Sequence, residues 1–529
     1  MINPPSAGGA DQTGRRRLQR RHQVSKRRGC SIPDMFSKQS VRSRQRPTTQ
    51  RGRNNMPRQP PRRDQLRQTR AGSQKTHEER LLKMIVSVLQ PLEITEDANF
   101  QDFIKNLNNT FQIPTKPGMH SLLLRIYQEK EEELRCTLAT ADDIVLTCEL
   151  WSSRPEDSHL TVGCHFVNNL GYLKSHMLKT INLFGDESAA NVRTQLLSVM
   201  EAWGVKEKVH SVVRAGMPKL ENIKWTDMPC FADTLNVIFK NLMKDDELSN
   251  VLRKCQNIIR FFKYNFEAER SFRETQRKLG KNQEELIMYY GEQWLPWLHM
   301  LQGLHSQYET MVMVLNKNGK TGLILNEKDK EKIKNLISAL NPLEKAMSMM
   351  KREGFETISV MLPLLKALMD KLREEEGRNN DIAKTLLHKC KREFGNIDNH
   401  QLATNTFLDP RHKNKLGEQN KKKAISKITQ ELLRNFTPAK IKGILARYEA
   451  ERNTSESANP FAWWRYTGNA RFGELRKLAL KKLGVVSTAV PLERAFSIAG
   501  DRFCNLRSSI EPENLNMILF LNSNWSSEC

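Results

Sequence analysis

Apolar side chains recur at helical spacing only from about residue 77. In HEERLLKMIVSVLQPLEI (77–94) and NFQDFIKNLNNTF (99–111) they fall three or four positions apart, and IPTKPG (113–118) breaks the pattern. MHSLLLRIYQEKEEELRCTLAT (119–140) predicts a further amphipathic helix. The period then shortens. DDIVLTCEL (142–150), HLTVGCHFVNN (159–169) and LKSHMLKTINLFG (173–185) are strand-like runs divided by turn residues, which predicts an antiparallel meander. SAANVRTQLLSVMEAWGV (188–205) returns to the helical period with Ser188 placed as its cap, and KVHSVVRAG (208–216) is a fourth strand. Residues 230–455 are almost entirely helical, without a repeat, so they read as an insertion or a second domain. RFGELRKLALKKLG (471–484), PLERAFSIAGDRF (491–503) and EPENLNMILFLNSN (511–524) predict three short helices. The last presents Leu515, Ile518, Leu519 and Leu521, an apolar face that an internal core or a partner chain must cover.

Charge changes the picture at one end. Residues 1–75 hold 20 Lys and Arg against 3 acidic residues, whereas the other 454 hold 65 against 57. A segment rich in Arg, Gln, Pro and Ser with no apolar period cannot offset its ordering entropy, so 1–76 is expected to be a disordered basic tail. GRRRLQRR (14–21) and SKRRG (25–29) within it have the character of a nuclear-import signal and a nucleic-acid arm. The DNA-binding candidates are Arg15, Arg16, Arg17, Arg20, Arg21, Lys26, Arg27 and Arg28. Their contacts should go mainly to the phosphate backbone.

Nine scattered cysteines without CxxC spacing suggest reduced thiols and no local zinc site. The longest apolar run, ISVMLPLLKALM (358–369), is too short to span a bilayer and contains Lys366, so no membrane partner is expected. No cofactor is implied.

Residues 485–525, VVSTAVPLERAFSIAGDRFCNLRSSIEPENLNMILFLNSNW, resemble the C-terminal dimerisation segment of the hAT transposase superfamily. FQIPTKPGM, LTCELWSS, HLTVGCHFVN, CFADTLNVIF, LDPRHK (408–413) and WWRYTGNARFGELRKLALKKLGV look like further landmarks in order, so the likeness covers roughly 80–525. It is greatest to host-domesticated members that carry an N-terminal BED-type zinc finger. Such a finger needs paired cysteines and paired histidines, yet residues 1–75 hold only Cys30 and His22.

The resemblance implies an α/β plus all-α fold: a ribonuclease-H-like core interrupted by a large all-α insertion, with a helical C-terminal dimerisation segment. The implied division is 77–141 helical, 142–245 first part of the core, 246–455 insertion, and 456–529 return helices and dimerisation region. In active relatives three acidic residues hold two metal ions that clamp the attacking and leaving oxygens of a phosphodiester. The matching positions here are Glu149, Ala215 and Ala462. Glu149 keeps the charge of the family's Asp but moves it out by one methylene, about 1.5 Å, and alanine ligates nothing. The resemblance therefore implies no intact catalytic residue and no bound metal. The family's Cys-x-x-His reads CFAD, with Asp233 for the histidine, and a tryptophan that supports DNA hairpin handling in relatives corresponds to Trp294. Trp294 is thus either a DNA contact or packing within a helix.

A catalytically inactive, transposase-derived nuclear protein follows as the expectation. It would be a homodimer through Leu492, Phe496, Ile498, Leu515, Ile518, Leu519, Phe520 and Leu521, bound to DNA with chromatin or transcription factors as further partners. The alternatives are a dimeric interaction factor without DNA contact and a SUMO ligase like one type of relative. No RING-like Cys/His pattern supports ligase chemistry.

Overall fold

The computed structural model describes residues 63–154, 157–350, 357–395, 399–489, 507 and 509–525. The first helix, α1 (Arg63–Ser87), starts well before the apolar period does, so the expected tail boundary at 76 is corrected. Gln74 shows why the pattern missed it. Its side-chain amide donates to the Gln112 carbonyl at 2.6 Å and accepts from the Gln112 N–H at 3.2 Å, an anchor that leaves no apolar trace. Next come α2 (Ala98–Leu107), capped by Asp97 onto the N–H of Phe100, and α3 (Lys116–Ala139), capped by Thr115 with Pro117 in its first turn.

The meander forms as expected from β1 (Ile144–Arg154), β2 (Asp157–Val167) and β3 (Leu173–Asn182). Ser188 caps the crossover helix α4 (Ala189–Ala202), which leads into β4 (Val209–Ala215). A fifth strand, β5 (Thr226–Pro229), escaped the sequence because four residues are too few to show alternation. The sheet order is β3-β2-β1-β4-β5, with β1–β3 antiparallel and β4 and β5 joining in parallel.

A helical block follows: α5 (Phe231–Leu242), α6 (Asp246–Tyr264), α7 (Phe266–Lys278), α8 (Trp294–Lys317), α9 (Glu327–Met350), α10 (Met361–Glu376), α11 (Asp381–Gly395), α12 (Asn399–Leu408), α13 (Glu418–Leu432) and α14 (Pro438–Ala450). The chain then returns through α15 (Pro460–Trp463) and α16 (Asn469–Leu483), and α17 (Pro512–Asn524) ends the described part. The segment after α16 re-enters the core, where Val486 bridges to Thr357. The Ile358 N–H donates to the Val485 carbonyl and the Phe231 N–H to that of Ser487, both at 2.9 Å.

Alternation along β1 splits the core into layers. Ile144, Leu146 and Cys148 pack with α1, α3, α4 and α17 on one face, while Val145, Val213, Ala215 and Met228 face the helical block. A third cluster joins Phe407, Tyr448, Trp464 and Phe472. LDPRHK fastens that cluster. Asp409 accepts from Ser359 Oγ at 2.7 Å and from both Nε and Nη2 of Arg411 at 2.9 and 2.6 Å, all in the interior. The Leu408 carbonyl accepts from Trp464 Nε1 at 2.8 Å.

The apolar face of α17 is covered from within. Leu515, Ile518, Leu519, Phe520 and Leu521 are buried in the chain's own core, with the Phe520 ring edge-on to Tyr127 at 5.0 Å. Of the two covers expected for this face, an internal core or a partner chain, the single chain already supplies the first. Leu492, Phe496 and Ile498 lie outside the described residues.

Candidate active site

Parallel pairing of β1 with β4 sets Glu149 directly beside Ala215, their Cα atoms being register partners. Two of the three positions implied by the resemblance are thus neighbours where the parallel pairing ends: Ala215 closes β4, while Glu149 lies midway along β1, which continues to Arg154. The carboxyl end of a parallel strand is where an open α/β sheet commonly places its ligands.

The chain turns sharply after Ala215. Gly216 has φ +69°, and a Cβ there would stand 2.5 Å from the Leu150 carbonyl oxygen, so the turn requires glycine. This turn aims the Gly216 N–H at Asp233 Oδ2, 2.9 Å away. Asp233 stands in the first turn of α5, whose cap is the Cys230 sulfur. Burial pushes its carboxyl above the usual range and the nearby Glu149 charge adds to that, against the Gly216 hydrogen bond and the Arg214 charge. Asp233, which the resemblance marks only as a lost histidine, is thus a buried carboxyl held by the Gly216 N–H and opposed by the Glu149 charge.

Arg214 is occupied. Its Nε donates to both carboxylate oxygens of Asp227 at 3.0 and 2.9 Å, and Nη1 donates to the Met217 carbonyl at 3.1 Å. Asp227 comes from β5, the unforeseen strand, so its partnership with Arg214 was not legible. Arg214, Asp227, Asp233, Trp151 and Glu187 share a cleft of about 1070 Å³ with Lys240 and Glu292, which are themselves paired at 2.8 Å.

Ala462 is elsewhere, which corrects the third expected position. It lies in the first turn of α15, capped by Asn459, and three residues later Arg465 Nη1 donates to the Tyr172 hydroxyl at 3.0 Å. Tyr172 belongs to the β2–β3 turn. Register pairs Val145 with His165 but Glu149 with Thr161, so that turn lies at the opposite end of β1 from Glu149. The tryptophan pair after Ala462 matches the family landmark, but its rings fill the core against Tyr448 and Phe472.

Among the described residues, no group of three or more His, Cys, Asp or Glu could hold a metal ion. A two-ion phosphoryl-transfer centre needs oxygen ligands fixed around octahedral ions. The described residues do not fit one, because Ala215 fills a ligand position with a methyl group and Arg214 puts a cation beside it.

Trp294 is fully buried at the start of α8, its backbone N–H donating to Asn236 Oδ1 at 3.3 Å, and Trp297 Nε1 donates to the Gly291 carbonyl at 2.8 Å. The burial of Trp294 is what the packing alternative expects. The basic residues Arg15 to Arg28 lie outside the described residues. No helix among the described residues is long and apolar enough to cross a membrane.

Comparisons agree with this architecture in chain order. The family model for the ZBED1 RNase-like domain matches residues 147–222, that for the ZBED1 RNase-like helical domain 228–339, and that for the hAT family C-terminal dimerisation region 445–525. The chain is 19% identical over 363 residues to the "Zinc finger BED domain-containing protein RICESLEEPER 3" of rice (Oryza sativa subsp. japonica), covering 64% of this chain and 48% of that one. It is 20% identical over 123 residues to the "Putative AC transposase" of maize (Zea mays), covering 23% and 15%. The chain thus spans about half the length, or less, of the curated relatives it matches. It is similar to hAT-transposase-derived proteins, with matches to RNase-like, helical and dimerisation regions in that order. The dimerisation match supports self-association.

Proposed function

We propose that this chain is a transposase-derived nuclear protein that has given up catalysis, self-associates through its C-terminal region and binds DNA, in the service of transcriptional regulation. The observation that carries the reading is Ala215 standing in register with Glu149 where strand cleavage would need a second carboxylate. The Arg214–Asp227 pair beside it supports the same reading, since a carboxylate engaged by a guanidinium is not offered to a divalent ion. The strand order β3-β2-β1-β4-β5, with a helical block between β5 and the returning segment, supports a ribonuclease-H-like core. The basic arm of residues 1–62 supplies phosphate-binding charge without a means of reading base edges.

The test incubates the full chain with Mg²⁺ or Mn²⁺ and DNA bearing terminal inverted repeats. Nicking should stay at background, and Glu149→Ala should change nothing. Metal-dependent nicking abolished by Glu149→Ala overturns the reading. Absence of chromatin contacts for the tagged protein favours an interaction factor without DNA.

A further inference from the structure

The helical block carries a cationic surface with no internal use. From Glu418 to Arg447, across α13, its turn and α14, the chain has eight Lys and Arg against two Glu. Both glutamates are engaged. Glu431 pairs with the buried Lys482 at 2.8 Å, and Glu418 lies 3.9 Å from Lys421, which also pairs with Glu449. Lys440 pairs with Glu474 at 3.3 Å. Among the described residues, no carboxylate comes within ion-pair distance of Lys422, Lys423, Lys427, Arg434 or Lys442. Lys423 is half-exposed and the other four are exposed. By contrast, Lys206, Lys330 and Lys371 each face a glutamate three to five positions away in the chain.

The helix sorts these cations. Ala424, Ile428 and Leu432 are the buried face of α13. At 3.6 residues per turn, Lys423 and Lys427 project within about 40° of one another on a flank of that face, and Arg434 follows in the turn just past the end of α13. Lys423 and Lys427 stand about 6 Å apart along the helix axis, and Arg434 continues the row beyond the helix end. Lys423 and Lys427 are four apart, a like-charge spacing that weakens an isolated helix. An anionic partner would turn that cost into a gain. The positions between them are Ser426 and Gln430, and the one aromatic ring nearby, Phe436, is covered by Lys440 at 5.0 Å. Single-strand binders stack bases on exposed rings, and this stripe offers none.

We propose that Lys423, Lys427 and Arg434 form a docking stripe for the phosphate backbone of duplex DNA, separate from the basic arm. The inference rests on the DNA-binding reading and assigns a folded surface to it. Each lysine or arginine that neutralises a phosphate releases counterions, so binding should weaken with salt and barely depend on sequence.

The test measures affinity of the full chain for two unrelated fluorescent duplexes across a salt series, by anisotropy. The triple variant Lys423→Gln, Lys427→Gln, Arg434→Gln should make the log–log salt slope shallower by about 2 to 3. It should weaken both duplexes equally. Lys206→Gln, Lys330→Gln, Lys371→Gln removes the same net charge and should leave the slope unchanged. A third variant replaces the eight arginines and lysines of residues 15–28 with Gln and should retain the contribution of the stripe. A slope that falls with the arm variant and not with the stripe variant overturns the stripe while the DNA reading stands. Wild-type protein that binds neither duplex overturns both. Tighter binding to polyglutamate than to duplex, lost in the stripe variant, makes the surface a site for acidic protein and overturns the assignment to DNA.

Discussion

Gly216 hands its backbone N–H to Asp233 at 2.9 Å, and this one bond ties the end of β4 to the start of α5 across the floor of the cleft. The turn that aims it requires a left-handed residue packed against the Leu150 carbonyl. Gly216→Ala should therefore lower stability by about 1–3 kcal/mol, more than the entropic benefit of removing a glycine. A shifted urea midpoint with unchanged slope would register it.

Asp233 itself should be a stability liability at neutral pH. Its carboxyl is held above the usual range by burial and by Glu149, so the folded state disfavours its charge. A group raised in this way leaves stability intact below its unfolded value and reduces it as pH climbs through the folded one. Asp233→Asn keeps an oxygen for the Gly216 N–H and should gain stability at pH 7 but not at pH 3. Equal effects at both pH values would mean that Asp233 does not ionise against Glu149. Urea midpoints at the two pH values decide it.

The Asp409–Arg411 pair should behave in the opposite sense. Burial pushes the Asp409 carboxyl up, but the hydrogen bonds and charge of Arg411 outweigh it and hold the group below the usual range. Its contribution is present above the unfolded value near pH 4 and is lost as pH falls through the folded one. Arg411→Ala leaves a buried carboxylate alone and should cost about 3–5 kcal/mol at pH 7, with a smaller loss at pH 3. Denaturation curves at both pH values measure the difference.

Phe520 separates a core role from an interface role. It is fully buried against Tyr127 and Trp203 within one chain. Phe520→Ala should cost about 3–5 kcal/mol of monomer stability. Sedimentation should show loss of folded protein, not a folded monomer. A stable, folded monomer would return Phe520 to the dimer face.

Trp294→Phe is expected to leave DNA affinity per folded molecule unchanged, because no part of the ring is exposed. Stability should fall, since the swap empties part of a packed site. Anisotropy on the folded fraction checks the first statement and a thermal melt the second.

Local pattern was enough for much of this protein. The meander, the crossover helix with its Ser188 cap, β4 and the helical block all follow from the periods of two and 3.6 that each segment carries within itself. Ala215 could be read as a strand-end position because a strand's end is a local feature, whereas β1 runs on past Glu149 to Arg154 through its pairing with β2. Partnership is different: it joins residues distant in the chain, and nothing in either segment records it. Arg214 reads as a free cation until β5 brings Asp227 to it, and Asp233 as a mere replacement until the Gly216 turn aims an N–H at it. Ala462 followed a sequence landmark, yet packing of the Trp463–Trp464 pair carries it to the far end of the sheet. The apolar face of α17 announced that something must cover it, and only the folded chain, by wrapping back onto α3 and β3, decided that the cover is its own core. Periodicity fixes which face of an element is buried. What it is buried against is settled by long-range packing, whose free energy belongs to both partners at once.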